Sequence, residues 1–181
     1  ISMRQEDKIT EKSSLYHHLE SKSVGELLED INREDHKVAD AVKEALPQIE
    51  ALVVEAEKRM KRGGRVFYIG AGTSGRLGVL DASELPPTFG VPSTLVSGLI
   101  AGGDTALRNA VENAEDMTAQ GWADLQKFEP TADDTLIGIA ASGTTPYVIG
   151  AIREARAHHM LTGCITSNPS TPLAEVSEFP I

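Results

Sequence analysis

One supersecondary unit occurs twice in this sequence, and it limits the possible folds more than any other feature. Arg65-Val-Phe-Tyr-Ile69 is a short apolar run; Gly70-Ala-Gly-Thr-Ser-Gly75 follows, then a helical stretch from Ser74 to about Leu85, ended by Pro86-Pro87. Further on, Thr135-Leu-Ile-Gly-Ile139 leads through Ala140-Ala-Ser-Gly-Thr-Thr-Pro146 into a helix reaching about His158. Thr94-Leu-Val-Ser97 and Leu161-Thr-Gly-Cys-Ile-Thr166 read as two more strands, and Glu178-Phe-Pro-Ile181 as the approach to another. Strands that are apolar throughout and alternate with helices predict an α/β fold, a parallel sheet covered on both faces. Between strands two and three, the glycine-rich Gly98-Leu-Ile-Ala-Gly-Gly103 reads as a loop before helical segments at Asp104 to Val111 and Asp116 to Phe128.

The first third of the chain has a different period. Residues 1–22 are polar and read as an arm. Ser23 is a suitable N-cap for a helix over Val24 to Asn32. Val38, Ala41, Val42, Ala45, Ile49, Leu52, Val53, Ala56 and Met60 recur at three and four residues, which predicts one buried stripe. Pro47 divides this stretch into two helices, and Gly63-Gly64 ends it. The expected division is an arm with helices over 1–62 and an α/β domain over 63–181, incomplete at its C-terminal end.

Composition removes several classes of function. The 181 residues are 40% hydrophobic and carry a formal net charge of -10. Nucleic-acid and membrane-surface binding need basic patches, so neither is expected. Cys164 is the one cysteine, which excludes a disulfide scaffold and a cysteine-ligated metal site. His17-His18, His36 and His158-His159 lack ligand spacing and read as solvated or capping residues. No metal is expected, and the expected location is the cytoplasm.

The first loop must be separated from two better-known phosphate binders. Gly70-x-Gly72-x-x-Gly75 matches the dinucleotide fingerprint, but that motif needs an acid at the end of the second strand, and Asp104 comes too late. A nucleotide P-loop needs Lys and Ser or Thr after Gly75, where Arg76 and Leu77 stand. What remains is a loop of hydroxyls and backbone N–H groups at a helix N-terminus: Gly72, Thr73, Ser74, Gly75 and Arg76. Ser142, Gly143, Thr144 and Thr145 repeat the design before Pro146. Such residues often serve only as helix caps. Two equivalent loops at the carboxyl ends of parallel strands favour an anion site for a small hydroxylated phosphomonoester.

Gly70-Ala-Gly-Thr-Ser-Gly-Arg-Leu-Gly-Val-Leu-Asp-Ala-Ser-Glu84 with Pro86-Pro87 resembles the N-acetylmuramic acid 6-phosphate etherases. Ile31-Asn-x-Glu-Asp35, Gly98 to Gly103, Ala110 to Asp116 and Gly138 to Tyr147 resemble the same family, in the same order. Leu85, Thr144 and Ser167 depart from it, standing where cysteine, arginine and cysteine are common. The resemblance implies the sugar isomerase (SIS) fold, a three-layer flavodoxin-like sheet similar to that of the glucokinase regulatory proteins. It also implies a homodimer without metal or organic cofactor, which cleaves the D-lactyl ether of a phosphorylated amino sugar during recycling of cell-wall sugars. By the same resemblance the chain stops before the fifth strand and the C-terminal helices.

The family's catalytic pair falls on Glu84 and Glu115. With C1 of the open-chain sugar an aldehyde, a base can take the acidified C2 proton while an acid protonates the departing lactate oxygen. Glu84 is expected to end its helix, where the negative end of the dipole disfavours ionisation and suits a general acid. Glu115 would be the base. Glu112, three residues earlier, is its rival if the segment is helical; Asp81 either tunes Glu84 or caps the chain. A non-catalytic sugar-phosphate sensor and a sugar-phosphate isomerase are the alternative readings of the same fold. Trp122, Leu125 and Phe128 read as core packing.

Overall fold

The computed structural model describes residues 8–181. Its helices are α1 (Val24–Glu44), α2 (Leu46–Met60), α3 (Gly72–Phe89), α4 (Gly103–Arg108), α5 (Gln120–Gln126), α6 (Pro146–Ala157) and α7 (Pro172–Val176). Its strands are β1 (Val66–Gly70), β2 (Val96–Ile100), β3 (Thr135–Ile139), β4 (Leu161–Ile165) and β5 (Phe179–Pro180). All strand pairs are parallel, in the order β2-β1-β3-β4-β5. Strand order reverses between β1 and β3, the position at which open α/β sheets bind ligands. The expected approach to another strand is β5 itself, so the sheet has five strands and not four.

The pleat divides the core in two. Val66, Ile137 and Leu161 point to one face, where Leu52 and Ala56 of α2 and Ala82 of α3 cover them. Phe67, Ile69 and Leu136 point to the other, beneath Leu125 of α5 and Tyr147, Val148 and Ile152 of α6. This is the expected three-layer α/β/α arrangement. Leu125 is fully buried, Trp122 packs on this core, and exposed Phe128 meets the edge of Phe67 at 5.5 Å.

Several boundaries differ from the sequence reading, each for a physical reason. Ser23 caps α1 in a complete capping box with Glu26, but the helix continues to Glu44. The break falls at Ala45, and Pro47 sits in the first turn of α2, where its missing N–H breaks no helical bond. The predicted buried stripe is covered only in part: Leu52 and Ala56 of α2 are buried against the sheet, whereas Val38, Ala41 and Val42 of α1, which packs on α2, and Val53 are exposed. Pro86 and Pro87 do not end α3. Their fixed φ is helical, and the helix closes four residues later at Gly90 in the left-handed conformation, whose N–H donates to Pro86 O at 2.8 Å. β2 includes Gly98, read from sequence as loop. A Cβ at Gly98 would lie 2.6 Å from the Val79 backbone, so glycine is what lets α3 rest on the strand. The segments after β2 are shorter than expected: α4 stops at Arg108 and α5 starts at Gln120.

Asp134 fastens the start of the sheet. It is 1% exposed and accepts from Arg65 N at 2.7 Å, Arg65 Nη2 at 2.8 Å and Thr131 N at 2.7 Å. Burial alone would raise its pKa; the Arg65 guanidinium and these backbone donors outweigh that and hold it below the usual aspartate value. Its contribution is therefore complete above the ordinary value of 3.8 and is lost as pH falls through the lower folded value. Asp134→Asn should lower stability by about 3 kcal/mol at pH 7, read from urea unfolding. The difference from wild type should shrink below pH 3.8 as the wild-type carboxyl protonates.

Candidate anion-binding site at the strand ends

The loops after β1 and β3 leave the sheet side by side, because Gly70 pairs with Ile139. The first helical bond of α3 is donated by Gly75 N to Ala71 O at 3.3 Å. The amides of Gly72, Thr73 and Ser74 precede it and have no partner within the helix. Among the described residues no side chain caps this end: Thr73 is exposed, Ser74 half-buried, and Gly75 packs against Ile100. In the second loop Thr144 N donates to Ser142 Oγ at 3.2 Å, and Thr144 Oγ1 lies 3.1 Å from the same oxygen. The first helical bond of α6 comes from Ile149, and Thr145 does not cap. By contrast, Ser23 caps α1 and Thr171 caps α7 through its side chain. The capping explanation thus fails at the two loops where hydroxyls are most concentrated.

The second loop is braced from behind by residues that sequence reading passed over. Gly143 has φ +67°, and a Cβ there would lie 2.4 Å from the Thr171 side chain. Asn168, 3% exposed, donates to Ser142 O at 3.2 Å and Ala141 O at 3.4 Å. Leu173 N donates to Gly143 O at 3.0 Å. The arm read as merely polar also reaches the site, where Lys8 Nζ donates to Thr144 Oγ1 at 3.4 Å. No periodicity or motif marks Lys8, Asn168 or Thr171, because each acts across a long stretch of chain.

Tyr147 ties α6 to α5. Its hydroxyl donates to Asp124 Oδ2 at 3.0 Å; burial and that carboxylate push the phenol well above its ordinary value. Burial would raise Asp124, but hydrogen bonds from Lys127, Gln120 and Tyr147 leave it lowered. Arg76 is engaged elsewhere: its guanidinium donates to Leu107 O at 3.1 Å and Ala106 O at 2.7 Å, binding α4 to α3.

The two glutamates are not brought together with the loops in one chain. Glu84 is exposed on α3, about 18 Å of helix beyond Gly72. Its neighbours Ala82 and Leu85 pack with Val66, Leu95 and Val96 at the beginnings of the strands, whereas the loops stand at their ends. Glu84 does not end its helix, which runs on to Phe89, so the dipole argument loses its premise. Glu115 is exposed in a single 3-10 turn, Ala114–Asp116, whose Ala114 packs on the core beside α6. Asn113 at φ +61° separates it from Glu112, so the two share no helical face. Glu112 instead lines a 530 Å³ pocket with Asp124 and Lys127. Asp81 lies beside Tyr68; burial first, and then that carboxylate, push the phenol up to about 12.

Comparison with known proteins adds the family. The family described as the glucokinase regulatory protein N-terminal SIS domain matches residues 46–156. A protein of Bacteroides thetaiotaomicron named N-acetylmuramic acid 6-phosphate etherase is 68% identical over 174 residues, covering 96% of this chain and 63% of its own length. A protein of Porphyromonas gingivalis with the same name is 65% identical over 175 residues, covering 97% and 64%. This chain thus spans less than two thirds of these relatives. The structure of a phosphoheptose isomerase from Francisella tularensis superimposes with a TM-score of 0.65 at 23% identity, over 83% of this chain and 81% of that one, a likeness of fold alone. With 46–156 accounted for in this way and the sheet order as observed, the chain belongs to the SIS-domain family, of the glucokinase regulatory protein N-terminal type.

Proposed function

We propose that this chain is the SIS part of a cytoplasmic lyase that cleaves the D-lactyl ether of N-acetylmuramic acid 6-phosphate. The products are N-acetylglucosamine 6-phosphate and D-lactate, and the setting is the recycling of cell-wall sugars. The observation that carries this reading is 68% identity over 174 residues to a relative bearing that name. The geometry supports the binding half: two rows of open amides with Thr73, Ser74, Ser142, Thr144 and Thr145 suit a phosphate and sugar hydroxyls. On this reading residues 1–62 are an arm and helices attached to the SIS domain of 63–181.

In the proposed chemistry the substrate opens, and its C1 aldehyde acidifies the C2 proton. Glu115 takes that proton, Glu84 protonates the departing lactate oxygen, and water then adds at C3. No step needs a metal or organic cofactor. A hexosamine phosphate cannot span the distance from the loops to Glu84 of the same chain. The acid would therefore come from a second copy, making a homodimer the working unit. Exposed Leu77 and Leu80 on α3, one turn apart, supply an apolar surface for that contact.

D-lactate release from N-acetylmuramic acid 6-phosphate is the direct assay, with the unphosphorylated sugar as control. Release should depend on the phosphate and fall at least ~10²-fold in Glu84→Gln and in Glu115→Gln. Undiminished release by both variants would sink the assignment. Gly143→Ala should abolish binding of the phosphorylated sugar, because the new Cβ displaces the second loop. Mixing inactive Glu84→Gln with inactive Gly143→Ala tests the shared site. About one quarter of wild-type activity should return, since half the dimers are mixed and each carries one intact site. No recovery would place both groups in one chain.

A further inference from the structure

The two loops offer backbone donors and hydroxyls, yet the cation that sequence reading assigned to them, Arg76, is held by the carbonyls of Ala106 and Leu107. A phosphomonoester carries nearly two negative charges at neutral pH. Among the described residues, the cationic side chain hydrogen-bonded to either loop is Lys8, with its Nζ 3.4 Å from Thr144 Oγ1. That contact is long, and the hydroxyl is shared with Ser142 Oγ, 3.1 Å away. A charge-assisted bond to an anionic oxygen is about 2.7–2.9 Å long, so an anion at this loop would be a better partner for the ammonium than Thr144.

Lys8 does not reach this position by chance contact of a loose arm. Thr10 N donates to Asn168 Oδ1 at 3.1 Å, and Asn168 Nδ2 donates back to Thr10 Oγ1 at 3.0 Å. The same Nδ2 donates to the carbonyls of Ala141 and Ser142. One buried amide, 158 residues from Thr10 in sequence, therefore holds the arm and the second loop at once. The 3-10 turn of Ile9–Glu11 continues directly from Lys8, so docking Thr10 fixes where Lys8 projects.

We infer that Lys8 is a ligand of the bound phosphate and that Asn168 is the residue positioning it. The N-terminal arm then forms a wall of the site and discriminates phosphorylated from unphosphorylated sugar. This rests on the sugar-phosphate reading above.

The test is calorimetric titration of the 181-residue chain with N-acetylglucosamine 6-phosphate and, separately, with N-acetylglucosamine. Lys8→Gln should weaken binding of the phosphorylated sugar by about 10- to 100-fold, the range for a hydrogen bond to a charged group. It should also flatten the salt dependence of that binding. Lys8→Arg should keep most of the affinity, and Thr10→Ala, which loosens the arm without touching the loop, should show part of the loss. The thermal midpoint of Lys8→Gln should match wild type, which separates a ligand from a folding defect. Wild-type affinity in Lys8→Gln would overturn the inference and leave the sugar-phosphate reading standing. Failure of the wild-type chain to bind the phosphorylated sugar would overturn both.

Discussion

The pairing of β1 with β3 carries the candidate site. Val66 stands opposite Thr135 and Gly70 opposite Ile139, so both strands end at one level and release their loops side by side. A slip of one residue would turn every side chain of a strand to the wrong face. It would also set the amide rows of α3 and α6 at different heights. Packing of each face against its own helices resists such a slip, and the buried Asp134, joined to the backbone and guanidinium of Arg65, pins the pair at its starting end. The functional end of the sheet is thus held in register partly by an ion pair at the opposite end.

Parallel topology has a second consequence. Each helix must run back against its strand, so a residue late in α3 is carried away from the loop that begins it. The hydroxyl-rich loops and Glu84 are consequently at opposite ends of one sheet. A single copy of the fold can gather donors for an anion, but it separates them from a carboxylate placed far along the same helix. The exposed apolar stripes of α1 and α3 fit the same picture: Leu28, Ile31, Leu77 and Leu80 are amphipathic faces without a surface to cover in the isolated chain.

What the sequence made legible was local. Apolar runs marked the strands within a few residues, and Ser23 with Glu26 marked a helix start that is a full capping box. The hydroxyl loops stood out because glycine, serine and threonine cluster directly after those runs. Legibility failed where a distant partner decides the outcome. Gly98 looks like loop until α3 is laid upon it. Asn168 is one polar residue among several in Ser167-Asn-Pro-Ser170, and only the fold sets it behind Ala141 and Ser142. The stripe from Val38 to Met60 has the period of a buried face, but periodicity cannot say whether the covering surface lies in the same chain.

The acidity of the chain and the proposed anion site are compatible once magnitudes are compared. Net charge of -10 is spread over the whole molecule, and exposed charges are screened over about 8 Å at physiological ionic strength. Near the loops the fixed positive ends of two helices each count for roughly half an elementary charge. With the ammonium of Lys8 they come to about two, close to what a phosphomonoester presents. The helix ends alone would balance only half of it. A site built on loops 70–75 and 141–145 is therefore electrostatically incomplete until the docked arm is counted, and in that sense Lys8 and Thr10 belong to the SIS domain's chemistry as much as the loops do.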